Sequence, residues 1–263
     1  MQNEKGHPKR ISDNHEIKDE LLEKFDFYNF NHALEILKGS FKTEWEELQE
    51  ELLNFEINIA DIKSPGGNKS AIPKKFDKFL FPKNWEEAKI KGRLNVSIVA
   101  RRSRKGKYNE KTDKLLSEYI DGHNIDFVKG RVALDVEWNS KEQTFDRDLL
   151  AMRTYNECDL ISVGIILTRA EELNEIFDSL YIKTKNGKSC SIIKKYGSST
   201  TWIGKLLPRL DSRRNGGCPI LVIGIRQCCV VDWERGYIDP EKPKNETLLE
   251  KNDLNIQDDM DDE

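Results

Sequence analysis

The chain has 263 residues, 37% hydrophobic and 34% charged, with a net charge of −4 at pH 7. That length suits one large domain, or one domain with a small appended element, and no apolar run is long enough to span a membrane. The start, Met1-Gln-Asn-Glu-Lys, lacks an apolar signal region, and the five cysteines (Cys158, Cys190, Cys218, Cys228, Cys229) form no CxxC pair. Both features argue for a cytoplasmic protein with reduced thiols and against export or a zinc site.

The charge is unevenly spread. Residues 246–263 hold eight acids against Lys251, so that tail carries −7 and the rest of the chain +3. Between Lys89 and Lys107 stand Lys89, Lys91, Arg93, Arg101, Arg102, Arg104, Lys105 and Lys107, with no acid among them. Such a block suits contact with phosphates; a solvated basic loop is the other reading.

In chain order, residues 1–14 are polar and read as disordered. A single domain is expected over 15–245, with a helical N-terminal part over 15–88, a core over 89–226, and a disordered acidic tail over 246–263. From His15 to Asn58 the pattern is largely helical, with Leu21, Leu22, Phe25 and Tyr28 leading and Thr43 and Glu46 at capping-box spacing. Pro65-Gly-Gly-Asn-Lys-Ser70 breaks the pattern, and Pro73–Leu80 reads as a short helix. Ile90–Ala100 alternates as a strand.

Ile125–Val128 and Arg131–Trp138 read as two strands joined at Lys129-Gly130. Thr144–Tyr155 reads as an amphipathic helix, and Leu160–Leu167 as a strand buried on both faces. A helix over Ala170–Leu180, a turn at Gly197–Thr201, a helix through Leu210 and a buried strand over Cys218–Ile225 complete the series. This alternation predicts an α/β fold, a mixed central sheet flanked by helices.

The segment with chemistry in it runs from Asp126 to Glu137. Residues two apart on a strand share a face, so Asp135 and Glu137 lie side by side, with Val132, Leu134 and Val136 opposite. Two carboxylates on one face of an apolar strand repel one another and are costly to bury, unless a divalent cation compensates them. Asp126, nine residues earlier, can return to the same place across the Lys129-Gly130 turn. Three oxygen ligands suit Mg²⁺, which can activate water against a phosphodiester. The alternative is a wet strand face whose acids pair with Arg131 or Arg147.

The order Asp126, Asp135, x, Glu137 resembles the PD-(D/E)xK nuclease core. Glu137 stands where most members have Lys, as in restriction endonucleases of the BamHI type, while the spacing from Asp126 to Asp135 is similar to the BglII type. The segments 135–149, 161–169, 65–70 and 197–210 also resemble that family, and the likeness spans residues 28–226.

The resemblance implies a PD-(D/E)xK restriction-endonuclease-like core, a homodimer, and Mg²⁺-dependent cleavage of double-stranded DNA at a short palindrome with 5′ extensions. It implies that Asp126 and Asp135 are metal ligands and that Glu137 shares the metal and orients or deprotonates the attacking water. With Glu137 in place of Lys, the cationic partner of the leaving phosphate is open, and Lys141 is a candidate by position. A helix acid ahead of the core sometimes completes such sites; Glu110 and Glu118 stand there, with surface roles as the alternative.

Asn139, Ser140, Lys141 and Gln143 follow the site and suit base reading, a helix cap being the alternative. Asp146, Arg147 and Asp148 read as a structural ion-pair network. Lys69, in its glycine loop, and Arg101, Arg102 and Arg104 suit phosphate contact. Two other functions stay open: a repair or nicking nuclease on the same core, and a DNA-binding protein without catalysis.

Overall fold

The computed structural model describes residues 10–12, 15, 17–64, 70–184, 187–196 and 199–243. The expected loop 65–70, with Lys69, and the acidic tail 246–263 lie outside these residues, save Ser70. Nine helices and eight strands follow in the order α1 (Asp19–Lys24), β1 (Phe25–Phe30), α2 (Ala33–Ser40), α3 (Lys42–Asn54), α4 (Ile59–Lys63), α5 (Ala71–Leu80), β2 (Glu86–Ala100), β3 (Asn109–Lys129), β4 (Val132–Val136), α6 (Thr144–Glu157), β5 (Val163–Arg169), α7 (Leu173–Ser179), β6 (Tyr181–Lys183), β7 (Ser189–Ser191), α8 (Ile192–Tyr196), α9 (Ile203–Asp211) and β8 (Ile220–Ile225) among the described residues.

Six strands form a mixed sheet in the order β1-β8-β5-β4-β3-β2, and β6 and β7 pair separately. The central strands β4, β5 and β8 run parallel and are buried throughout, as their near-continuous Val, Ile and Leu content requires. Helices cover both faces. Leu134, Val136, Ile165, Leu167, Leu221 and Ile223 pack with the N-terminal helices, and Ala133, Ile166, Ile220 and Val222 pack with α6 and α9. The fold is thus the expected α/β arrangement.

Local departures have local causes. Phe25–Phe30, expected to be helical, is an edge strand antiparallel to β8, with Phe25 opposite Ile225 and Phe30 opposite Ile220. Phe25 and Phe27 alternate with Asp26, and an aromatic-rich alternation fits a half-buried strand better than a helix. Of the aromatics weighed as a partner face, Phe25, Phe30 and Trp45 are buried, and Tyr28 and Phe41 pack partly buried against the core. Helix α3 begins one residue before Thr43, with no side-chain cap bond, so the capping-box reading does not hold.

Ile11, inside the stretch expected to be without structure, is buried, and its backbone N–H donates to the Phe27 carbonyl at 2.9 Å. The largest surprise is the span after Ala100. Strand β3 continues antiparallel to β2 from Asn109 onward, and the two form one long hairpin.

Candidate active site

Strands β3 and β4 meet through a tight turn in which Gly130 has φ of +54°, a conformation glycine takes without strain. The register places Phe127 opposite Leu134 and so brings Asp126 beside Asp135. The Asp126 backbone N–H donates to Asp135 Oδ1 at 2.9 Å, and the Val136 N–H donates to Asp126 Oδ2 at 3.1 Å. Glu137 lies one residue past β4, where its N–H extends the parallel pairing by donating to the Leu167 carbonyl at 2.8 Å. Asp135 and Glu137 share the face of Ala133, the side covered by α6. The structure thus brings Asp126, Asp135 and Glu137 to one end of β4.

A fourth acid joins them. Asp148 belongs to the buried stripe of α6, in step with Phe145, Leu149, Met152 and Tyr155. Asp135, Glu137 and Asp148 are 4%, 6% and 2% exposed. Gly164 on β5 allows the helix this close, since a Cβ there would lie 2.5 Å from Met152 Sδ, and Met152 is one turn beyond Asp148.

The expected ion-pair network therefore splits. Asp146 pairs with Arg209 and Arg214 on the outside of the helix, while Asp148 turns inward to the site. Sequence reasoning missed Asp148 as a site residue. Its signal was legible: a lone acid on the apolar stripe of an amphipathic helix.

The electrostatics are those of crowded, buried carboxylates only partly compensated by Arg147. Burial, reinforced by the Asp126 carboxylate, pushes Asp135 well above the usual carboxylate range. Burial and the neighbouring Asp148 do the same to Glu137. Asp148 is pushed up to about 8, by burial first and then by Asp135. Asp135 Oδ2, Glu137 Oε2 and Asp148 Oδ2 are buried and accept no hydrogen bond. Burying three such oxygens costs desolvation that the exposed Arg147 beside Glu137 and Asp148 offsets only in part.

Among the described residues, no three His, Cys, Asp or Glu side chains already converge as a ready metal cage. Several of the oxygens are instead turned to local partners: Asp135 Oδ1 and Asp126 Oδ2 to backbone N–H groups, and Glu137 and Asp148 to Arg147. The residues nevertheless fit a divalent cation. The donors are hard oxygens, and the three unpartnered ones give a cation what the protein leaves unsatisfied.

The other sequence candidates spread out. Asn139 takes a left-handed backbone conformation, with φ of +59°, and turns the chain sharply away from β4. The stretch from Ser140 to Glu142 then pairs with 199–201: Thr201 N–H donates to the Ser140 carbonyl at 2.8 Å, and Glu142 N–H donates to Ser199 at 2.6 Å. The Ser140 side chain hydrogen-bonds Glu137, so it supports the carboxylate cluster. Lys141 and Gln143 are exposed on the rim, and Lys141 bridges to Thr200 through its backbone.

The buried Arg169 supports this rim from below. It donates to the Thr201 carbonyl at 3.1 Å and to Thr200 Oγ1 at 2.8 Å, and lies over the Phe177 ring. Arg131, weighed as a partner for the acids, instead holds Asp159 and Ser162. Arg101, Arg102 and Arg104 sit exposed at the tip of the β2–β3 hairpin, with Arg101 stacked on Tyr108. Glu110 and Glu118 lie exposed on the same hairpin, not on a helix.

The family model described as restriction endonuclease BglII/BglIII matches residues 25–225, a span that runs from the first residue of β1 to the last of β8 and contains the whole acidic cluster. No curated protein matches the chain.

Proposed function

The chain belongs to the BglII/BglIII restriction endonuclease family, a type II restriction enzyme acting on DNA, and on that premise we propose that it hydrolyses double-stranded DNA with Mg²⁺ held by Asp126, Asp135, Glu137 and Asp148. The observation that carries the reading is the set of three buried carboxylate oxygens with no partner at the end of β4. When bound, the cation supplies charge stabilisation for the phosphodiester and lowers the pKa of a water.

The chain's own residues do the rest. Asp126 and Asp135 fix the two sides of the site through their reciprocal backbone hydrogen bonds. Glu137, kept in place by Ser140, orients the attacking water and receives its proton as the new P–O bond forms and the ester P–O bond breaks. Asn139, Ser140, Lys141 and Gln143 stand beside the site, where their exposed members suit contact with base edges. The arginines of the hairpin tip suit backbone phosphates.

A short palindrome is read most simply by two identical subunits about a two-fold axis, so the active species is a homodimer with one acidic cluster per strand. No helix among the described residues is long and apolar enough to cross a membrane. The deciding experiment is digestion of plasmid DNA with and without Mg²⁺, followed by sequencing of the ends. A single recurring palindrome with symmetric 5′ extensions is expected. Cleavage unaffected by chelation of divalent cations would overturn the metal assignment, and nicks on one strand only would overturn the dimeric reading.

A further inference from the structure

Arg147 occupies an unusual place. It follows the pattern of neither a free surface cation nor a buried salt bridge. Its Nη2 lies 3.2 Å from Asp148 Oδ1 and 3.9 Å from Glu137 Oε1, and its Nε lies 3.3 Å from the same Asp148 oxygen. The two carboxylates are almost fully buried, at 8% and 2% side-chain exposure, whereas 65% of the arginine side chain is open to solvent. The contact is therefore made from the rim inward. It is not the bidentate fork that makes Arg–carboxylate pairs strong, and its exposure screens it further.

Among the described residues, Arg147 is the cation paired with Glu137 or Asp148. The cations at the other end of β4 are engaged elsewhere: Lys129 holds Glu47 and the Lys83 carbonyl, and Arg131 holds Asp159. Once deprotonated to hold a cation, four carboxylates carry −4, a divalent cation returns only +2, and an arriving phosphodiester adds a further negative charge. One more positive group is needed at the solvent side, where the phosphate enters.

We propose that Arg147 is an exchangeable counter-ion: it holds Glu137 and Asp148 until a divalent cation takes these carboxylates, and the displaced guanidinium then turns outward to bind the scissile phosphate. This rests on the metal-dependent reading above. The arginine competes with the cation in the absence of DNA and cooperates with it in the complex, because the same side chain has two anionic partners in turn.

The two roles give opposite signs in one variant, which a merely structural residue would not. Ca²⁺, an oxygen-seeking probe, is titrated calorimetrically into the full-length protein without DNA, for wild type, Arg147→Gln and Arg147→Lys. Single-turnover cleavage with saturating Mg²⁺ and DNA binding are measured on the same proteins, with circular dichroism as the folding control. Arg147→Gln is expected to bind Ca²⁺ roughly 3–10-fold more tightly, since one competing charge is gone. It is expected to cleave at least about 100-fold more slowly, with DNA affinity changed far less. Arg147→Lys, which keeps the charge, is expected to recover part of both.

Ca²⁺ affinity in Arg147→Gln equal to or weaker than wild type would overturn the proposal, as would cleavage within tenfold of wild type. Absence of divalent-cation binding to wild type itself would overturn the underlying metal site, and the two failures are told apart by which protein fails.

Discussion

The two halves of the β2–β3 hairpin belong to one antiparallel ladder, broken by register shifts mostly in the root, and have opposite surroundings. At the root, Ile90, Ile125 and Phe127 are buried between the helical layers, and Asp126 is held against β4. In the outer half, Val96, Ile98, Val99, Leu115 and Tyr119 are all exposed, and the tip carries Arg101, Arg102, Arg104, Lys105 and Lys107. The difference lies in what is stacked on the strands, not in the strands themselves. Where β4 and α6 cover the hairpin, its acids are fixed within hydrogen-bonding reach. Where no described element covers it, the same ladder is a ribbon of two strands, which water alone stabilises poorly. The root is built to hold chemistry, and the outer half presents positive charge on a projecting arm.

The sharpest way to break this comparison is at the root. Asp135→Asn should reduce cleavage by at least about a thousandfold if Asp135 holds the proposed cation, because one oxygen donor is replaced by an amide in a dry site. DNA binding should survive, since the arm is untouched. Cleavage at the wild-type rate, measured in single turnover, would remove Asp135 from the site.

Asp148→Asn tests whether the inward-turned helix acid belongs to the same unit. Cleavage should fall by about a hundredfold or more. The cation-free protein should become more stable by about 1 kcal/mol at pH 8, because a buried carboxylate that only the largely exposed Arg147 compensates is removed. Urea unfolding measured with a chelator present checks this, and a loss of stability would show that Asp148 supports the fold and does not strain it.

The arm responds to salt. Replacing Arg101, Arg102 and Arg104 by Gln should weaken DNA binding and lower the slope of log K against log salt by about 0.9 for each phosphate that is no longer neutralised. The same slope as wild type would show that the tip does not reach the DNA backbone. Joining the paired residues Leu94 and Leu116 through an Asn-Gly turn should act likewise and leave the thermal midpoint within a few degrees, as the exposed half contributes little to the core. A large drop in midpoint would erase the distinction between the two halves.

The smallest effect is on pH. The Asp148 pKa is raised from the ordinary 3.8 to about 8 in the cation-free fold, so the folded state holds a proton that the unfolded chain releases. That contribution to stability is complete below about 3.8 and is lost as the pH rises to about 8. Cation binding requires the deprotonated carboxylates, so affinity for Mg²⁺ should rise over the same window. Calorimetry at pH 6 and pH 8.5 reads this directly, and pH-independent affinity would detach the raised acids from the metal site.

Much of this protein was decided by its sequence alone. The period-2 placement of Asp135 and Glu137, the glycine turn after Asp126 and the apolar runs of β4, β5 and β8 set the sheet and the three acids, because strand alternation and turn stereochemistry are local. Tertiary structure decided the rest. Helical spacing puts Asp148 on the apolar stripe and Asp146 off it, but which groups they meet, the acid cluster for one and Arg209 and Arg214 for the other, is set by packing. That division depends on α6 settling onto Gly164 of a strand that follows it in the chain. Phe25–Phe30 became a strand because β8, nearly two hundred residues later, offered an open edge. Residues 109–124 became the second half of an arm because β2 was there to pair with. Each outcome rests on a partner distant in sequence, and side-chain spacing within one segment does not encode which partner will arrive.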